Sequence, residues 1–148
     1  MNSYEYRVSL RITHPTISPE LITQTLNIEP FRKWTVGEPR SNPKGQSLPG
    51  INKESFWGAN LHKPKNLNSE NIVLEEFLVA TNKRLSSHAE FFAQLVREGG
   101  YVEYFVGWLG SSNFGATFEP SLMEGTAKLN IAIGLDIYPD ESSNETAA

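Results

Sequence analysis

Residues 101–109, with the sequence YVEYFVGWL, form the clearest β-strand pattern in the chain and decide the predicted fold. Gly99 and Gly100 precede this stretch and a glycine-serine turn at 110–113 follows it, so turn-forming residues bound it on both sides. Both alternating faces are largely apolar, which is typical of a central strand covered on both sides and not of an edge strand. We therefore expect the rest of the chain to flank or cover this strand.

Two further strands are predicted near the ends of the chain. In residues 4–13, apolar side chains at even positions alternate with polar or charged side chains at odd positions, which is the pattern of a half-buried strand. In residues 131–138, the isoleucines and the leucine at odd positions are predicted to face the core, whereas the even positions point away from it. Weaker strand candidates are residues 33–38, 54–61 and 114–118.

Four helices are predicted, at residues 18–27, 69–85, 87–98 and 120–130. The third begins with Ser87, and the fourth has Ser121 directly after its first proline; each serine is followed three residues later by glutamate, which is a capping box. The first and fourth follow a strand, start at a proline and end in Leu-Asn-Ile, a weak repeat that suggests two strand–helix–strand halves. We therefore predict an α+β fold with a mainly antiparallel sheet of four or five strands and helices on one face, arranged as a ferredoxin-like sandwich.

The length of 148 residues indicates one domain, predicted to span residues 1–138. Residues 139–148, PDESSNETAA, have almost no apolar content and are predicted to be a disordered tail. The chain has no cysteine, which excludes a disulfide framework, thiolate zinc sites and a cysteine nucleophile. The N-terminal residues lack the basic and apolar regions of a signal peptide, and no apolar run reaches 18 residues. We therefore expect a cytoplasmic protein without a membrane partner.

Charge and motifs argue against several classes of function. The formal net charge is -4 and the isoelectric point about 5.4, and the sequence does not concentrate Lys or Arg, so we expect no nucleic-acid partner. Neither glycine-rich phosphate-binding motif is present, and the three histidines stand in different predicted elements without metal-ligand spacing. We therefore predict no cofactor, no metal site and no identifiable catalytic residue.

One candidate binding segment contains two tryptophans and lies near a predicted long loop at residues 38–52, which is rich in proline and glycine. Its members are Trp34, Gly37, Glu38, Arg40 and Trp57. Trp and Arg often anchor protein interfaces, so the segment is a candidate contact surface. The structural interpretation is that both tryptophans plug one face of the sheet, with the glycine allowing close backbone approach; this is the more common role of large aromatic side chains.

The second candidate site is the outward face of the sheet. If the terminal strands join one sheet, Arg7 and Arg11 share a face with Asp136 and Tyr138, and Glu103 lies near them. Mixed charges beside aromatic side chains are able to bind a polar ligand. The structural interpretation is cross-strand charge pairing on a solvated face, which contributes about 0.2–1 kcal/mol per pair.

The order of these features resembles a family of small bacterial domains known only as a domain of unknown function. The resemblance is carried by the Pro-started helix after the first strand, the Trp-x-x-Gly segment from Trp34 to Gly37, the second tryptophan Trp57, and the Leu-Asp-Ile-Tyr ending at 135–138. It implies a bacterial, soluble, single-domain protein and brings no established activity. By analogy, some small acidic bacterial domains are immunity proteins of toxin systems.

Three functions follow as hypotheses. The first is a non-enzymatic protein-interaction module of immunity type, which blocks a basic toxin through the segment 34–57. A homodimer that covers Tyr101 and Phe105 is a separate expectation for the partner. The second is a small-ligand binding module on the outward face around Arg11. The third is an enzyme with an acid/base pair assembled in space, such as Glu38 with His62.

Overall fold

The computed structural model describes residues 2–139, so all of the predicted tail except Pro139 lies outside the described residues. The strands are β1 (Glu5–His14), β2 (Arg32–Trp34), β3 (Pro39–Ser41), β4 (Ser47–Ile51), β5 (Ser55–Asn60), β6 (Leu67–Asn68), β7 (Tyr101–Gly110) and β8 (Ala132–Pro139). The helices are α1 (Pro19–Leu26), α2 (Leu74–Leu85), α3 (Ala89–Arg97) and α4 (Pro120–Lys128), with a single 3₁₀ turn between α2 and α3.

One mixed sheet organises the fold, with strand order β2-β5-β1-β7-β8 and the short β6 paired to the start of β1. β1 is antiparallel to both β5 and β7, whereas β8 is parallel to β7. A separate two-stranded hairpin, β3–β4, occupies most of the predicted loop at 38–52. The α+β class is therefore confirmed.

The sheet is not purely antiparallel, and the ferredoxin-like arrangement is not confirmed. Each Pro-started helix connects two strands that run in the same direction, because β1 and β2 are both antiparallel to β5, and β7 and β8 are parallel neighbours. A parallel pair needs such a helical crossover. The repeat in the sequence marks these crossovers, but it does not reveal that β5 inserts between β1 and β2.

The helices and the core lie against one face of the sheet. The even-numbered side chains of β1 and β7, among them Leu10 and Tyr104, are fully buried on this face and join one core cluster with the buried side chains of all four helices. The Tyr104 hydroxyl donates to Oδ1 of Asn82 on α2 at 2.8 Å. The Asn82 amide donates to Oγ1 of Thr126 on α4 at 2.9 Å, so these three side chains satisfy one another.

Several local predictions need correction. The outward face of β7 is only half-covered and has no helix on it, so β7 is not enclosed on both sides. Leu135 and Ile137 are on the core side of β8 but remain 44% and 58% exposed, because the core cluster reaches β8 only at Ile131 and Ile133. Neither capping box makes its side-chain hydrogen bond, and residues 114–118 form no strand.

Candidate ligand-binding cleft on the open sheet face

The outward face of the sheet contains a transverse row of charged side chains. In the strand register, Arg32 of β2 lies opposite Gly58 of β5, Gly58 lies opposite Arg11 of β1, and Arg11 lies opposite Glu103 of β7. These positions share the face that the helices leave open. Two guanidinium groups therefore flank a strand position that has no side chain.

Arg11 is held on an aromatic ring and is not paired with a carboxylate. Its guanidinium carbon lies 3.7 Å from the ring centroid of Phe105 and 5.9 Å from that of Phe31, and its Nε donates to Oγ of Ser9 at 3.2 Å. Within residues 2–139 no carboxylate oxygen lies within 4.0 Å of it. Burial lowers the pKa of Arg11, and the negative charge of Glu103 partly offsets that effect.

Arg32, on the other side of Gly58 from Arg11, also lies over an aromatic ring. Its guanidinium carbon lies 4.8 Å from the ring centroid of Trp34, and its Nη2 donates to the carbonyl oxygen of Ser41 at 2.9 Å. Trp34 in turn stacks on Phe56, with ring centroids 4.5 Å apart and planes 24° apart. A cation above an aromatic face is stabilised by the ring quadrupole, which fixes each guanidinium while leaving donor groups free.

Gly58 creates the space between the two arginines. A Cβ atom at this position would lie 2.9 Å from Cζ of Phe56 and 3.0 Å from Cζ of Phe31, closer than carbon atoms pack. The two phenylalanine rings therefore fold over the glycine and form an aromatic floor between Arg11 and Arg32.

The β3–β4 hairpin turns this face into a cleft. The cavity has a volume of about 790 Å³, within the range of ordinary small-ligand sites. Its lining residues are Arg11, Glu29, Pro30, Phe31, Arg32, Lys33, Trp34, Ser41, Asn42, Pro43, Gly45 and Phe56. Lys33 is neutralised by Glu20 at 2.8 Å, so Arg11 and Arg32 are the cations of the lining that have no carboxylate partner within residues 2–139.

The acidic groups of β7 and β8 on the open face are hydrogen-bonded to tyrosines and form no ion pair with the arginines within residues 2–139. Glu103 accepts a hydrogen bond of 3.2 Å from the Tyr101 hydroxyl, and its carboxylate lies over Gly134 on β8. Asp136 accepts a hydrogen bond from the Tyr138 hydroxyl, which raises the pKa of Tyr138. The carboxylates are thus engaged with tyrosines, which leaves the guanidinium donors available.

The structure brings the second predicted site together on the open face. Arg7, like Arg11, lies on the outward side of β1, and the register places Asp136 two strands away from Arg7. The Arg7 stem crosses Gly107, where a Cβ would lie 3.0 Å from Cγ of Arg7. The Nε of Arg7 is buried without a hydrogen-bond partner among the described residues.

The structure separates the two tryptophans of the first predicted site. Trp57 lies on the inward face of β5 with 0% exposure, so it cannot touch a ligand, whereas Trp34 lines the cleft. Gly37 occupies a turn with a φ of 86°, which favours glycine. Glu38 and Arg40 stand at the start of the hairpin, and Arg40 donates a bond of 3.0 Å to a carbonyl oxygen across it.

Glu38 and His62 do not form the proposed acid/base pair. Nε2 of His62 accepts the backbone N–H of Val8 at 2.9 Å, and Nδ1 donates to the carbonyl oxygen of Pro64 at 2.8 Å. Both ring nitrogens are therefore engaged with the backbone. Burial lowers the pKa of His62, which favours the neutral ring that these two bonds require.

His14 is a second histidine whose ring nitrogens are both engaged. His14 is buried, and its Nδ1 accepts the backbone N–H groups of Thr16 and Ile17 while Nε2 contacts Glu98 at 2.9 Å. Residues 2–139 contain no cluster of three or more groups able to hold a metal ion. No helix within that range has the length and apolar character needed to cross a bilayer.

Three lining residues of the cleft, Phe31, Arg32 and Phe56, were not assigned to a site from the sequence, and Phe105, which lies under Arg11, was predicted only as part of a self-association surface. A local signal exists for one pair, since Arg32 and Trp34 are two residues apart and share one face of a strand. For the others, the signal depends on pairing with β5 and β7, which the sequence does not show.

The comparisons with known proteins identify a family. A model of the family described as a domain of unknown function, DUF4279, matches residues 4–140. No curated protein and no solved structure gives a significant match. Because the family model spans nearly the whole chain, the protein belongs to the DUF4279 family of domains of unknown function.

Proposed function

We propose that this protein is a non-catalytic binding module that holds a small planar ligand in the cleft between Arg11 and Arg32. The observation that carries the proposal is that both guanidinium groups line one cavity, stacked on aromatic rings and without a carboxylate partner within residues 2–139. Donors fixed in this way favour a ligand edge with two acceptor atoms, because guanidinium forms paired hydrogen bonds.

The aromatic floor selects the shape of the ligand. Phe31 is 50% exposed, and Trp34 and Phe56 line the same cavity. A flat ring buries more area on such a floor than an aliphatic chain does, and aromatic stacking adds about 0.5–1.5 kcal/mol. The ligand class is therefore a planar ring that carries a carboxylate or adjacent ring-nitrogen and carbonyl acceptors.

Thermal shift and calorimetry on the purified protein test this proposal. The probes are two planar compounds with acceptor edges, 4-hydroxybenzoate and guanosine. We expect at least one to raise the melting temperature of the wild type, and Arg11→Ala to abolish that shift. Arg97→Ala is the matched control, since Arg97 is an exposed arginine on α3 that pairs with Glu90. The proposal fails if neither probe binds, or if Arg11→Ala binds as tightly as the wild type.

A second candidate function is the protein-interaction module, and the β3–β4 hairpin favours it. All hairpin residues from Pro39 to Ile51 except Asn42 are exposed, including Leu48 at 37% and Ile51 at 58%. An exposed hairpin with apolar side chains is a common contact element. It contains two cations and no carboxylate, so it favours an acidic protein surface over the basic toxin expected of an immunity-type partner.

Of the two residues expected to drive a homodimer, Phe105 is covered by Arg11, whereas Tyr101 is 53% exposed. Light scattering on the wild type and Ile51→Glu tests whether the hairpin self-associates instead. A dimer in the wild type that dissociates in the variant would assign the hairpin to self-association. Monomers in both would leave self-association without support.

A further inference from the structure

A second cavity lies beside Phe31, at the edge of the sheet where the chain enters β2 and leaves β5. Its volume is about 630 Å³. It shares Glu29, Pro30 and Phe31 with the cleft described above. The half-exposed Phe31 therefore lines two adjoining spaces.

The second cavity is basic. Lys63, Lys65 and Arg84 line it together with His62, and Glu29 is its one carboxylate. Neither lysine forms an ion pair with a carboxylate of residues 2–139, and Arg84 makes a single hydrogen bond of 3.3 Å to a backbone carbonyl. Lysine and arginine are the usual partners of phosphate groups.

This basic edge contrasts with the charge of the whole protein. Nine of the thirteen Lys and Arg residues precede residue 70, although the chain has a net charge of -4. The cleft and the second cavity together are lined by two of these arginines and three of these lysines, and Arg84 of α2 adds a sixth cation. One glutamate, Glu29, is shared by both linings. A surface that concentrates cations on an acidic protein attracts an anionic ligand.

We propose that the ligand of the cleft is a nucleoside phosphate, and this inference rests on the proposed function. The base lies on the Phe31 and Phe56 floor between Arg11 and Arg32, and the phosphate groups pass Phe31 and bind Lys63 and Lys65. Guanine fits best, because its O6 and N7 atoms offer the paired acceptors that one guanidinium recognises. The geometry thus matches a planar base joined to a compact anion.

Isothermal titration of the full chain with GDP, guanosine and inorganic pyrophosphate tests the inference. We expect GDP to bind at least about tenfold more tightly than guanosine, because charge-assisted hydrogen bonds to phosphate add to the stacking. The double variant Lys63→Ala/Lys65→Ala should weaken GDP about tenfold and leave guanosine unchanged. Arg11→Lys should weaken both ligands, since it keeps the charge but removes the planar fork.

The controls separate the two proposals. Lys128→Ala removes an exposed lysine of α4 that pairs with Glu124, so it should bind GDP like the wild type. If guanosine binds and GDP binds no better, the phosphate assignment is overturned and the planar-ligand proposal stands. If GDP binds no better than pyrophosphate and Arg11→Lys has no effect, the base is not held in the cleft and the inference is overturned. If guanosine and GDP both fail while 4-hydroxybenzoate binds, the inference falls alone; if all probes fail, both proposals fall.

Discussion

The two faces of the central sheet differ in how their polar side chains are partnered, although Nε1 of Trp108 on the inward face also lacks a partner among the described residues. On the helix-covered face, Tyr104, Asn82 and Thr126 form a closed chain of hydrogen bonds across three elements. On the open face, Arg7 and Arg11 are half-buried yet keep donors without protein partners among residues 2–139. A satisfied network stabilises the fold, whereas unsatisfied donors beside a cavity indicate a place for a ligand.

The largest expected difference in stability between the faces is between Trp57 of β5, on the inward face, and Trp34 of β2, on the open face. Trp57→Ala removes a fully buried ring whose Nε1 donates to Oγ1 of Thr23 at 2.9 Å, so it should destabilise folding by about 3–5 kcal/mol. Trp34→Ala removes a half-buried ring stacked on Phe56 and should lower the free energy of unfolding by less than about 2 kcal/mol. Urea unfolding measures both. Equal losses would mean that the open face supports the fold as strongly as the core.

The polar network of the inward face should be the next most sensitive feature. Asn82→Ala leaves the Tyr104 hydroxyl and Thr126 without their shared partner, so we expect a loss of about 1–3 kcal/mol in the free energy of unfolding. Asn60→Ala is the matched control, because Asn60 is exposed at the end of β5. A difference below 0.5 kcal/mol, roughly the scatter of surface substitutions, would show that water replaces the network.

Glycine-to-alanine substitutions on the two sides of the sheet should change the free energy of unfolding in opposite directions. Gly58→Ala places a methyl group against the Phe31 and Phe56 rings, so we expect a loss of about 1–3 kcal/mol and weaker ligand binding. Gly125→Ala in α4 meets only an ordinary contact at 3.5 Å and should stabilise the protein by about 0.5–1 kcal/mol. Thermal denaturation gives both values. A neutral Gly58→Ala would mean that the phenylalanine rings move aside at no cost.

The smallest expected effect is a pH dependence at His62, which borders the second cavity. Burial holds the pKa of His62 below 6.5, so the unfolded chain binds the extra proton first as the pH falls. The contribution of the neutral ring is fully present above pH 6.5 and declines as the pH falls from 6.5 towards the folded pKa. His62→Gln should remove this part of the pH profile. Urea unfolding measures the profile over roughly 1.5 pH units on either side of 6.5. Parallel profiles for both proteins would exclude the effect.

Part of the fold was accessible from the sequence, because it depends on neighbours a few residues apart. The alternation in β1 identified its buried face, and Asn27, the last residue of the first predicted helix, ends α1 in the left-handed conformation with a φ of 55°. The Pro-started helices α1 and α4 were also found in the correct places. The strand order and the parallel β7–β8 pair were not, because strand pairing joins segments far apart in the chain.

The candidate site was only half accessible for the same reason. Arg7, Arg11, Asp136 and Tyr138 were placed on one face from the two-residue period of a strand, and they lie on one face. Trp57 was grouped with Trp34, although opposite faces of the sheet hold them. Both positions are tryptophan in the sequence. Only the packing of α1 on β5 shows that Trp57 is buried whereas Trp34 lines the cleft.

The sequence by itself determined the class of fold, the inward face of β1 and the positions of the Pro-started helices, since each is a consequence of local period and backbone preference. Only the tertiary structure decided that Arg11 and Arg32 face each other across Gly58, that the hairpin encloses them, and that a basic cavity adjoins the cleft. Register between distant strands sets these distances, and a one-residue shift would move every side chain to the other face.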